Sequence, residues 1–336
     1  MGPSELRKWL EDNAQSSHNI KYNLMVRYFA STSKVHLLLR VGGFLAVNVA
    51  AVLAQDLPPA SMKVQVVVTV KPHKAAVPAL RPEDFKVVQG RRQLRVTRAV
   101  ALQSDDEGLE LFLVFDDFAS PYLHADLPEI RRFITTQPAR TRIGLAFLRP
   151  AGVEVAVPLT TDHDRVADAL RAPHDAVTRP YILLSELIKK WPPGAAAREI
   201  VFFTSGADPS SKANVSNRSL DVGIDDALRA AVVVHGISVG ISGTPVRVAA
   251  ETRFADDNLG RLTDETGGAF YPMGPPLKPH LSDLSRRLAN QYRVTFQPAP
   301  GNNTRLVPVK VTAAVPDAKI VGAPVRVYLP VVPVGR

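Results

Sequence analysis

The sequence predicts an α/β fold: a doubly wound, mostly parallel six-stranded sheet with one antiparallel edge strand, flanked by N- and C-terminal β segments. Three observations carry this prediction. Between residues 106 and 290, short apolar runs alternate with stretches of helical length and pattern, the texture of a parallel sheet wrapped on both faces. The run LELFLVF at 109–115 is almost continuously apolar, as suits a central strand with both faces covered. The four residues Arg149-Pro150-Ala151-Gly152 between apolar runs at 142–148 and 153–157 are too few for a crossover, so that pair is a hairpin and its second strand runs antiparallel.

The elements follow in order. The Val-rich alternation at 62–70 reads as a strand, broken by Pro72 and Pro78. A turn at Gln89-Gly90 joins β-prone runs at 85–88 and 94–100 into a hairpin. Arg91, Arg92, Arg95 and Arg98 on it form a basic patch, read as the solvated face of an edge strand whose charges discourage aggregation. After the strand at 109–115, helices are expected at 128–135, at 162–171 with Thr160 or Thr161 as cap, and at 180–191 with proline in the first turn. A strand at 199–203, a helix at 221–231, a strand at 232–239 and a helix at 254–266 closed by Gly267-Gly268 come next. A short strand at 269–271 and a helix at 281–290 complete the α/β part. The tail suggests strands at 292–296, 306–311 and 325–332, with Pro308, Pro330 and Pro333 marking edges or ends. The two β segments are expected to lie together beside the α/β body.

Composition narrows the function classes. The 336 residues include no cysteine, which removes disulfides, thiolate metal sites and cysteine nucleophiles. Residues 1–54 hold six basic and three acidic side chains, which leaves the remainder of the chain at +6. That excess is too small and too dispersed to argue for nucleic acid. From Met25, a leader with Arg27, Lys34 and Arg40 precedes the apolar stretch 41–54, interrupted by Asn48, before Gln55-Asp56. This is the three-part plan of a secretory signal, too short for a stable membrane span. The expected organisation is therefore 1–24 as an over-called or disordered extension, 25–54 as signal peptide, 55–105 as N-terminal β segment, 106–290 as α/β domain and 291–336 as C-terminal β segment. The product would be exported, to a periplasmic or extracellular location.

Ligands of open α/β sheets bind beyond the carboxyl ends of the strands. Candidate residues should therefore follow positions 115, 203 and 239. Four motifs occur in a meaningful order: Leu80-Arg81-Pro82-Glu83-Asp84-Phe85 through Gly90, the apolar strand ending at Phe115-Asp116, Thr266-Gly267-Gly268-Ala269-Phe270-Tyr271, and Asn290-Gln291-Tyr292-Arg293-Val294-Thr295-Phe296. In this the chain resembles von Willebrand factor type A domains, more narrowly a bacterial exported group of that family, over about residues 62–332.

The resemblance implies a metal-ion-dependent adhesion site, built from Asp-x-Ser-x-Ser after the first strand, a threonine before a later helix and an aspartate after the fourth strand. Such a set of oxygen ligands suits a small hard cation. Carried over position by position, Asp116 supplies the first carboxylate, Phe118 stands where the first serine should be, Ser120 keeps the second serine, Thr178 fits the threonine, and Ser205 replaces the second aspartate. The site thus reads as degenerate, with metal candidates Asp116, Ser120 and Thr178. Asp117 or Asp208 could compensate for the lost carboxylate, and Asp117, Ser205 and Asp208 are the partner-binding candidates. No cofactor is expected; the cation the pattern would take is Mg²⁺ or Mn²⁺.

Other chemistries find less support. A phosphoryl-transfer aspartate needs a second carboxylate two residues on, where Phe118 stands. Asp162-His163-Asp164 reads as a solvated helix start, His235 as a residue within a strand, and Trp191 as core. No G-x-S-x-G, G-x-G-x-x-G or Walker loop occurs. The resemblance implies a non-enzymatic, exported binding or adhesion module that meets a protein or a cell-envelope polymer through loops 116–125, 172–180 and 205–219. The alternatives are an envelope scaffold acting through its β segments and a metal-dependent hydrolase.

Overall fold

The computed structural model describes residues 63–329, apart from short segments at 73–78, 105–106, 119–120, 175, 210–216, 240–244, 273–275 and 299–304. The signal and extension read from the sequence, and Ser120, lie outside the described residues. In chain order the first strands are β1 (Val64–Pro72), β2 (Phe85–Gln89), β3 (Arg92–Leu94) and β4 (Val96–Ala101). The α/β body follows with β5 (Leu109–Asp116), α1 (Leu127–Thr135), β6 (Arg142–Arg149), β7 (Gly152–Thr160), α2 (His163–Asp168) and α3 (Pro180–Lys190). It continues with β8 (Ala197–Thr204), α4 (Arg218–Arg229), β9 (Val232–Ser238), α5 (Pro245–Thr266), β10 (Phe270–Tyr271) and α6 (Leu277–Ala289). The tail forms β11 (Gln291–Phe296), β12 (Arg305–Pro308), β13 (Lys310–Ala313), β14 (Ala318–Gly322) and β15 (Arg326–Leu329).

The central sheet has the strand order β10-β9-β8-β5-β6-β7. All its pairings are parallel except β6 with β7, which run antiparallel at the edge. Every residue of β5 is buried. Strand alternation sends Leu111, Leu113 and Phe115 to one face, against Ile130, Phe133 and Ile134 of α1 and Leu281, Leu284 and Leu288 of α6. Phe112 and Val114 go to the other face, against side chains of α3, α4 and α5. The long apolar run is the consequence of this two-sided cover. Its one acid, Glu110, stays buried because Trp191 Nε1 donates to it at 2.9 Å and Arg142 pairs with it at 2.6 Å. Trp191 is core, packed edge-on against Phe112.

His235 lies within β9, fully buried, and its Nε2 is 2.7 Å from Glu199 Oε2 of β8. The backbone N–H of Ala269 donates to His235 Nδ1 at 3.1 Å, which places the ring proton on Nε2, facing the glutamate. At neighbouring Gly268 an added Cβ would meet Val234 O at 1.9 Å, so no side chain fits there.

The β segments from both ends of the described chain build a sandwich. One sheet has the order β14-β1-β11-β4, another β13-β2-β3, and β12 pairs with β15. Valines 64, 66, 68 and 70 of β1 meet Phe85, Val87, Leu94, Phe296, Val311 and Val327 in a shared core. Both β segments therefore belong to one unit, as the sequence suggested.

Several boundaries differ from the sequence reading. The 94–100 run is two strands in two sheets, because the chain changes partner at Arg95: β3 pairs with β2 and β4 with β11. The cap of α2 is Asp162, whose side chain accepts from Arg165 N at 3.0 Å, not Thr160 or Thr161. Helices α4, α5 and α6 begin earlier than expected. In α6, Pro279 sits in the first turn, where a missing N–H costs nothing. The 306–311 run splits after Pro308, and β14 was not anticipated.

Candidate functional site

The carboxyl ends of β5, β6 and β8 form a rim above the sheet. Asp116 closes β5 and is fully buried. Its Oδ1 accepts from Phe118 N at 3.1 Å and from the Thr178 hydroxyl, and its Oδ2 accepts from the Thr204 hydroxyl at 2.7 Å. One carboxyl thus ties together three segments: the turn after β5, the segment before α3 and the end of β8. Thr204 Oγ1 in turn accepts from Gly206 N at 2.9 Å, and Tyr181 donates to Gly206 O at 2.9 Å. Gly206 has φ +72°, and a Cβ there would meet Ala255 O at 2.6 Å, so the bend after β8 requires glycine.

Burial sets the electrostatics. The Asp116 carboxyl is raised to about 6 because desolvation outweighs its three donors. Burial, with the charges of Asp208, Asp116 and Asp256, pushes the Tyr181 phenol well above its usual range and keeps it a donor. Burial also raises Asp256.

Asp117 points away from Asp116 into a second cluster. It is buried, and its Oδ2 lies 3.3 Å from His174 Nδ1 and 4.0 Å from Arg149 Nε. Arg171 Nη1 is 3.9 Å from its Oδ1, and Arg171 also stacks on Phe147 at 3.5 Å and reaches Glu154 at 3.5 Å. The Asp117 backbone adds two bonds, to Leu148 O at 3.0 Å and from Ala176 N at 2.8 Å. Segment 171–180 is therefore held at both carboxylates.

The candidates read from the sequence distribute as follows. Asp116 and Thr178 come together; Ser120 lies outside the described residues. Ser205 is buried, and its Oγ accepts from Ala207 N at 3.3 Å rather than facing Asp116. The β8 residue bonded to the Asp116 carboxylate is Thr204. Asp117, Ser205 and Asp208, read as partner-binding, are 2%, 1% and 5% exposed. What the rim does present was not singled out: Val177, 57% exposed, with exposed His174 and Arg179 on the same segment and half-buried Phe118 beside it. A lone valine in a polar loop was the available signal.

Of the residues read as metal candidates, the described ones bring together one carboxylate, Asp116, and one hydroxyl, Thr178. Such an ion needs free oxygen lone pairs from a charged, fixed cage. Both Asp116 oxygens accept from internal donors, Phe118 offers no ligand, and the Ser205 hydroxyl accepts from Ala207 N. Among the described residues no three Asp, Glu, His or Cys side chains gather as a metal-holding group.

No family model and no curated protein sequence matches the chain. Solved structures show a distant likeness. The pilus adhesin SpaC of Lactobacillus rhamnosus GG is 10% identical over 74% of this chain and 48% of its own, with a TM-score of 0.43. The ArnB paralogue VWA2 of Sulfolobus acidocaldarius is 10% identical over 80% of this chain and 76% of its own, with a TM-score of 0.40. The SpRpn10 VWA domain is 14% identical over 52% of this chain and 94% of its own, with a TM-score of 0.36. The chain spans about half the length of the pilus adhesin. The architecture is a six-stranded sheet with one antiparallel edge strand and with loops gathered above β5 and β8.

Proposed function

We propose that this chain is an exported, non-enzymatic module that binds a protein partner at the rim, without a cation. One observation carries the reading: an exposed valine is mounted on a segment fixed from below by two buried carboxylates. Apolar surface on a loop already ordered costs little to bind, because its entropy was lost on folding. Phe118 extends that apolar surface where the resemblance implies a metal-ligating serine. Arg179 and His174 add cationic contacts at its edge. The complementary partner segment has an apolar side chain for Val177 and Phe118 and a carboxylate for Arg179. Export rests on the basic leader and apolar stretch at 25–54.

The test is affinity capture from a cell-envelope extract with the full chain. A protein retained by the native chain in EDTA should be lost on Val177→Asp. Retention by that variant, or dependence on Mg²⁺, contradicts the proposal. The hydrolase alternative is addressed by a substrate screen with and without Mg²⁺, where turnover abolished by Asp116→Ala would replace this reading.

A further inference from the structure

The sheet β13-β2-β3 covers the sandwich core with Phe85, Val87, Leu94 and Val311 and turns its alternate residues outward. Lys86 of β2, Lys310 of β13, Arg91 and Arg92 at the hairpin tip and Arg95 just past β3 are all exposed. Register places Lys310 opposite Val88 and Thr312 opposite Lys86, and Val88 opposite Gln93. Lys86, Lys310, Gln93 and Thr312 therefore share one face, with neighbouring strands about 4.8 Å apart; alternation adds Arg91 and Arg95 to it, while Arg92, opposite Gln89, follows Leu94 to the other side at the hairpin tip. None of the five cations makes an ion pair among the described residues. The nearest acids in sequence are engaged elsewhere: Asp84 Oδ2 accepts from Arg81 N at 2.8 Å, and Glu83 lies 3.8 Å from Arg81.

Edge protection, the reading suggested by the sequence, accounts for arginines on β3. It does not account for Lys86 on the middle strand. The cations cross the whole sheet, and their mutual repulsion has no internal compensation. The face also lacks what other partners need. The large exposed apolar residues of the described chain are Val155, Val177 and Val325, none of them here, so no anchor for lipid or for a protein hot spot is present. No aromatic ring lies on it to stack a base. Exposed Gln93 and partly exposed Thr312 stand among the cations and offer an amide and a hydroxyl.

We propose that the outer face of β13-β2-β3 binds a linear anionic polysaccharide, its sulfate or phosphate groups meeting the lysines and arginines and its sugar hydroxyls meeting Gln93 and Thr312. Binding of such a chain releases condensed counterions and is steeply salt-dependent. It is independent of the rim.

The experiment is titration of the full chain with heparin at several salt concentrations. The test variant is Arg91→Ser/Arg92→Ser/Arg95→Ser. The control, Arg132→Ser/Arg165→Ser/Lys278→Ser, removes the same charge from exposed positions elsewhere. The test variant should lose roughly tenfold or more in affinity, and its salt slope should fall by about one per contact removed. The control should stay within about twofold, the spread of a pure net-charge effect. Lys86→Gln/Lys310→Gln, on two other strands, should weaken binding in the same direction, which separates a lost face from a disturbed hairpin. Equal losses in test variant and control overturn the proposal. So does binding of single-stranded DNA or phosphatidylserine vesicles as tightly as heparin through the same arginines.

Discussion

The rim above the central sheet and the outer face of β13-β2-β3 are built from the same charged residue types and use them in opposite ways. On the rim, Asp116 and Asp117 are buried; Thr178, Thr204 and Phe118 donate to Asp116, and the Arg149, Arg171 and His174 side chains surround Asp117. The charge is spent on fixing loops, and what is left for a partner is Val177. On the sheet face the charges fix nothing and remain available. A charged motif thus indicates a binding group only where its hydrogen bonds are still open.

The largest break in this contrast is Asp116→Ala. It leaves three buried or half-buried donors unpartnered at about 1–3 kcal/mol each, and loss of about 4 kcal/mol is expected in chemical denaturation. Next, Asp116 makes stability pH-dependent. Its folded pKa of about 6 lies above the unfolded 3.8, so the native form binds the proton more tightly. The contribution is therefore full below pH 3.8 and is lost as pH rises to about 6. That shift amounts to about 3 kcal/mol, and Asp116→Asn should remove this slope from a pH series of unfolding curves. Smaller still, Thr178→Val removes one donor to the carboxyl at nearly constant shape and should cost about 2 kcal/mol, with weakened rim capture. At the other extreme, Arg91→Ser/Arg92→Ser/Arg95→Ser should move stability by no more than about 0.5 kcal/mol, because these side chains hold nothing. A large loss there would erase the contrast.

The same physics explains what could be read in advance. The central strand was legible because two-sided burial forces a continuous apolar run. Asp116 and Thr178 were legible from local motifs. Thr204 was not, since it meets Asp116 across 88 positions of sequence, through the parallel pairing of β5 with β8. Ser205, read at the second aspartate position, follows the end of β8, and its hydroxyl accepts from Ala207 N. Asp117 points away from Asp116; that Arg149, Arg171 and His174 converge on it depends on two segments distant from it in sequence. The partner change at Arg95 left no trace either, because Arg95 is compatible with a continuing strand. The arginine patch was visible in the sequence, but its extension onto Lys86 and Lys310 appears only once β13 is paired with β2.

The central claim is that the Asp116 carboxyl is committed to the protein's own donors and not to a cation. Thermal unfolding of the full chain at pH 7.5, with Mg²⁺ raised through the millimolar range, tests it most directly, because a ligand held only by the native state raises the midpoint by mass action. An unchanged midpoint, identical to that with matched NaCl, is the expected result. A midpoint that climbs with Mg²⁺ and ceases to climb in Asp116→Asn would contradict the account.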